Sequence, residues 1–219
     1  MRRTVSLIYK ILVILSLSTG IFLNVMNTTS VQAILSYYTL QSNIICLIAF
    51  VIFAIMEMRQ KYYKTDIYYL IKGAIIIAIL ITAITYRCAL APVGFEMDSL
   101  QRSIANKEFA NLLVHTVSPI LVVMDYFLFD EKGHFKYFYS IIWLVIPLNY
   151  IVYVYTYGAR GGEFFSIGGS KKFAYFFLDY EKIGYLGVAK WIAFMTVCIL
   201  FLSIVLIFID RRMRDKFEP

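Results

Sequence analysis

Three features of the sequence predict an all-α integral membrane protein. Apolar residues fill 61% of the 219 positions, charged residues only 16%, and the apolar residues gather into six continuous runs. A soluble domain carries about 25% charged residues. A helix that crosses the hydrocarbon core needs about 20 mostly apolar residues. The runs lie at about 6–26, 35–57, 67–90, 111–129, 137–157 and 188–209. They are continuous rather than alternating, which excludes a transmembrane β-barrel. The expectation is one domain over 1–219, a single bundle of six transmembrane helices.

The first run has a basic flank, Arg2 and Arg3, as a signal peptide would. Lys10 interrupts its apolar centre and the run continues to Met26, so it reads as a retained first helix. With the N-terminus inside, 13 Lys and Arg fall on the cytoplasmic side, Lys10 and Lys72 among them, against 8 on the other. Most of the 8 lie in one long loop, where charge has least influence on topology. Both termini are therefore expected in the cytoplasm, in a cell-membrane protein. The same distribution explains the net charge of +7 without nucleic acid as a partner. Tyrosines at the ends of the runs, including Tyr37, Tyr38, Tyr62, Tyr63, Tyr68 and Tyr69, suggest an interfacial aromatic belt.

The second run carries Gln32, Ser36, Thr39, Asn43 and Cys46 at spacings of 4, 3, 4 and 3, which makes one polar helical face. The fourth does the same with Asn111, His115, Ser118 and Asp125. Polar groups are costly against lipid, so the two seams are expected to face each other around a polar cavity. If these helices enter the outer side near Leu35 and Asn111, Thr39 and His115 lie at one depth, ~6 Å below that surface. A hydroxyl beside an imidazole can act as nucleophile and general base. The alternative is that Thr39, Asn43 and His115 simply hydrogen-bond across helices. Asp125 is ten residues from His115, ~15 Å along the axis, too far to orient it. It is expected near the inner interface, where it could hydrate. Asp179 and Asp98 are the outer-side carboxylates that could approach the imidazole. The glycine-rich loop 158–187 could cover the site.

Other chemistry finds little support. No G-x-S-x-G, H-E-x-x-H or phosphate-loop motif occurs. Ser170, which ends the G-G-S stretch from Gly168, lies in a loop followed by two lysines. Cys46, Cys88 and Cys198 are isolated and odd in number, so they read as packing residues. The two histidines, His115 and His134, fall on opposite sides and cannot share a metal. Neither metal nor other cofactor is expected.

Four motifs in order, YYTLQSN (37–43), H-x-x-x-P-x-x-x-x-x-D-Y (115–126), W-x-x-x-P-x-x-Y (143–150) and YFFLDYEKIGY (175–185), carry a resemblance. The chain resembles the androgen-induced-gene and androgen-dependent TFPI-regulating membrane proteins and their bacterial homologues. That resemblance implies a six-helix threonine hydrolase with a lipid-accessible cavity, acting on fatty acid esters of hydroxy fatty acids. By motif match Thr39 would be the nucleophile and His115 the base. Around them Asn43, Gln41, Ser42, Ser118 and Asp179 are the expected substrate-binding residues, with Asn43 or Gln41 donating to the oxyanion. A lipid or fatty-acyl ester and the surrounding membrane lipids are the expected partners. The glycine-rich outer loop and the F-F-L-D stretch depart from the eukaryotic pattern. The other function the residues allow is a non-catalytic lipid-binding or transport protein that uses the same cavity.

Overall fold

The computed structural model describes residues 2–28, 30–59, 64–94, 104–166 and 169–214. Its helices are α1 (Arg2–Met26), α2 (Val31–Leu35), α3 (Tyr38–Met58), α4 (Asp66–Thr85), α5 (Ile104–Leu112), α6 (Ser118–Phe129), α7 (Tyr139–Ile142), α8 (Val145–Ala159) and α9 (Tyr180–Arg214). Among the described residues they compose six helical spans long and apolar enough to cross a membrane. These spans are Arg3–Met26, Tyr38–Met58, Asp66–Val93, Lys107–Phe129, Tyr139–Ala159 and Tyr180–Arg214. The span through α4 is the most buried, because α4 packs against α3, α6, α7, α8 and α9.

Several breaks depart from the simple six-run picture. The second run lies in α3; the short α2 precedes it, and the chain turns at Ser36 and Tyr37 between the two. Ser30 caps α2 by accepting from the Ala33 N–H at 3.2 Å, and Thr65 caps α4 through the Tyr68 N–H at 3.4 Å. The fifth run breaks after α7. Pro147 has no N–H to offer the Trp143 carbonyl, so α8 has to start afresh at Val145. Two π turns, Tyr86–Leu90 after α4 and Leu113–Val117 between α5 and α6, interrupt the third and fourth runs.

The expected loop 158–187 is largely ordered. It holds a short antiparallel hairpin, β1 (Phe164–Ser166) with β2 (Gly169–Lys171), and a single 3-10 turn over Phe176–Leu178. Its last part already belongs to α9, which bends at Gly184 with φ of 69°. Phe164, Phe173, Tyr175, Phe177 and Leu178 are buried, so this connection packs into the bundle. Tyr37, Tyr38, Tyr68 and Tyr69 are buried too, and serve as core residues rather than as an interfacial belt. Tyr62 and Tyr63 lie outside the described residues.

The end of the bundle where α1 begins contains a buried chain of charges. Lys10 lies 2.9 Å from Glu57 and 3.3 Å from Asp125. Lys72 pairs with Asp125 and lies 3.3 Å from Asp130, which also meets Lys64 at 3.3 Å. The Ser6 hydroxyl donates to Glu57 and the Tyr68 phenol to Asp130. Three ammonium groups thus balance three carboxylates. Burial alone would raise Asp130, but the Lys72 and Lys64 ammonium groups hold its carboxyl below the usual carboxylate range. This corrects two expectations. Asp125 is fully buried and paired rather than hydrated at an interface, and Lys10 and Lys72 are internal counterions rather than surface anchors. An isolated charge is expensive inside a bundle, whereas a paired and hydrogen-bonded one is tolerated.

Candidate functional site

Thr39 is the second residue of α3 and lines an apolar cleft. Ile81 and Thr82 of α4, Pro147 and Tyr150 of α8, Trp191 and Ile192 of α9 and Tyr175 and Phe177 of the long connection complete its walls. The cleft holds 80 Å³ and is partly open at its mouth.

At the start of α3 the first backbone N–H groups have no intrahelical acceptor. The Thr39 hydroxyl, the Tyr150 phenol and the backbone N–H groups of Tyr38 and Thr39 all turn toward the phenol oxygen of Tyr175. Burial pushes the Tyr175 phenol up to about 12, and these donors keep it from rising further. Tyr175 therefore keeps its proton at neutral pH. Its ring is held edge-on to Tyr37 at 5.9 Å and stacked on Phe177 at 5.2 Å.

His115 sits in the π turn between α5 and α6, buried, with its ring flat against Tyr86 at 3.8 Å between centroids. Tyr86 begins the other π turn. The two widened turns thus face each other, and an Arg87–Thr116 hydrogen bond of 2.7 Å ties them together. Such turns often accompany functional sites. The Thr82 backbone and the Arg87 guanidinium are the polar groups near the imidazole, yet neither ring nitrogen has a hydrogen-bond partner among the described residues.

Thr39 and His115 lie at the same end of the bundle, but no hydrogen bond joins them. Asn43 links the two segments. Its amide donates to the Thr39 carbonyl at 2.7 Å and to the Val114 carbonyl at 3.3 Å. The Asn43 amide thus ties the Thr39 carbonyl to the π turn that carries His115. Thr82 occupies the space between, lining the cleft with its side chain and approaching the imidazole with its backbone.

The other expected site residues have separate roles. Asn43 spends its N–H donors on those two carbonyls, so it is not a free oxyanion donor at Thr39. Ser42 donates to the Thr39 carbonyl at 3.0 Å and lies 2.6 Å from the Thr82 hydroxyl. Gln41 faces a different cleft, on the other side of Tyr38. Ser118 meets the Ser16 hydroxyl at 2.8 Å and fastens α6 to α1. Asp179 accepts from the Glu181 and Lys182 N–H groups at 3.1 and 3.2 Å, which makes it the cap of α9. Asp98 lies outside the described residues, and Ser170 falls in β2. His134 stacks on Tyr69 at 4.1 Å, away from His115.

Sequence reasoning missed Tyr175, Thr82 and Tyr86, because no spacing links these residues to Thr39 or His115. The charged chain did leave a trace, since Lys10 and Lys72 interrupt apolar runs. Among the described residues no group of three or more His, Cys, Asp or Glu side chains could hold a metal ion. No protein-family model, curated protein or solved structure matches the chain.

Proposed function

We propose that the protein is a multi-pass membrane enzyme with both termini cytoplasmic, and that it hydrolyses the ester bond of a lipid at Thr39. The observation that carries this reading is the meeting of the Thr39 hydroxyl and two backbone N–H groups of α3 in the wall of an apolar cleft. A helix N-terminus favours developing negative charge. The N–H groups of Tyr38 and Thr39 would receive the carbonyl oxygen as it becomes an oxyanion. The Tyr175 phenol oxygen holds that place at rest, and the incoming ester displaces it. Thr39 then attacks the carbonyl carbon, forms an acyl-enzyme and releases the alcohol. Water cleaves the acyl-enzyme. His115 is the base in this reading: once the ester has displaced Tyr175, the imidazole has to move past Thr82 to take the Thr39 proton and deliver it to the leaving alkoxide.

The resemblance to membrane threonine hydrolases supports the same pair of residues and suggests a fatty acid ester of a hydroxy fatty acid as substrate. The test is reaction of the purified full-length protein with a fluorophosphonate probe and with branched fatty acid esters. Labelling and turnover are expected in the wild type and are lost in Thr39→Ala and His115→Ala. Equal labelling of Thr39→Ala removes the nucleophile.

One observation favours a second reading, a non-catalytic lipid-binding or transport protein. Thr39 and His115 are not hydrogen-bonded to each other, and His115 does not line the cleft. That reading predicts lipid binding without turnover, unchanged when both residues are replaced.

A further inference from the structure

A second cleft opens between α3 and α8, separated from the first by the Tyr38 and Tyr150 rings, which pack edge-on at 5.1 Å and line both. It holds 250 Å³, about three times the 80 Å³ of the Thr39 cleft. Its lining includes Gln41, Ser42, Asn149 and Tyr153, with Ile45 and Ile146. Two of these are out of place for a helix surface facing hydrocarbon. Asn149 is exposed at the middle of the Tyr139–Ala159 span, beside the exposed apolar residues Val145, Leu148 and Val152. Gln41 is half-buried across the cleft. Neither amide has a hydrogen bond among the described residues. An unpaired amide at such depth costs free energy unless something there bonds to it.

The chemistry of the lining narrows the occupant. No lining residue is charged, so no cation is available to neutralise a phosphate or carboxylate headgroup. Two carboxamides offer both donors and acceptors, which suits a neutral oxygen group that can accept and donate. The lateral opening onto an apolar helix face suits an alkyl chain. We propose that this second cleft binds an uncharged lipid, whose hydroxyl or ester oxygen is held between the side-chain amides of Gln41 and Asn149. A second copy of this chain, joined amide to amide across the same face, is the competing occupant.

The test uses the full-length protein in phosphatidylcholine nanodiscs and a monoacylglycerol carrying a diazirine and an alkyne tag. Photo-adducts are expected to concentrate on residues 38–45 and 146–153. In a Gln41→Leu/Asn149→Leu double variant they should fall roughly tenfold, the loss that two neutral hydrogen bonds make. Ile146→Trp, which fills the cleft and leaves both amides in place, should block labelling too, so a folding defect in the first variant does not decide the matter. An anionic phosphatidic acid analogue with the same tag should label these segments no more than the rest of the exposed surface. Equal labelling in both variants overturns the proposal. So does a dimeric wild type that becomes monomeric when the amides are removed. The readout is labelling rather than turnover, so failure of the hydrolytic reading would leave this result standing.

Discussion

Lys72 and Asp125 form an ion pair in which neither side chain has any solvent exposure, and each keeps a second partner of opposite sign. The Lys72 ammonium also lies over the Phe50 and Phe53 rings at 4.7 and 4.9 Å from their centroids. The pair joins α4 to α6, and through Lys10 and Glu57 the same chain reaches α1 and α3. Removing one member of such a pair strands the other charge, at a cost of about 3–5 kcal/mol. Asp125→Asn is therefore expected to lower the melting temperature in detergent by on the order of 10 °C. The double variant Asp125→Leu/Lys72→Met keeps the remaining charges balanced and should recover most of that loss. A double variant as unstable as the single one would contradict the account.

Asp130 gives the fold a pH dependence of known sign. Its folded carboxyl titrates below the unfolded value, ~3.9 for Asp. The group therefore adds stability above the unfolded value and loses it as pH falls through the lower folded one. Thermal unfolding of the wild type should weaken through this acid window more steeply than that of Asp130→Asn. Parallel pH profiles for the two proteins would show that the carboxylate is not stabilised by its lysines.

Tyr175 should act as an occupant of the site rather than as part of its chemistry. Tyr175→Phe keeps the aromatic packing and releases the donors of Tyr38 and Thr39. One neutral hydrogen bond is worth about three- to tenfold in an equilibrium, so KM for an ester should fall by about that factor with kcat nearly unchanged. A large fall in kcat would instead make the phenol a participant in the transition state.

Gly73 is where α4 makes room for the buried Trp143 indole, whose ring atoms fill the space that a Cβ would take. Trp143 also donates to the Leu70 carbonyl at 2.9 Å, so the ring has little freedom to retreat. Gly73→Ala should destabilise the protein by about 1–3 kcal/mol, read as a lower melting temperature. Gly94, with no atom near its notional Cβ but a φ of 65°, is the contrasting position, where strain would be local.

Hydropathy alone determined the six spans and their order, because the apolar length needed to cross a bilayer is written in one dimension. The interruptions at Lys10 and Lys72 were equally visible, but their meaning was not. Whether a lysine within an apolar run reaches out to water or pairs inward depends on which helix lies beside it, and Asp125 and Glu57 are remote in sequence. The same limit applies to the site. Periodicity put Thr39 and His115 on polar faces, whereas the groups that stand around them, Asn43 bridging to Val114 among them, depend on how the helices pack. Tyr175 reaches Thr39 only because a loop remote in the chain folds back over α3. Contacts of that kind arise from packing between segments, and no local spacing encodes them.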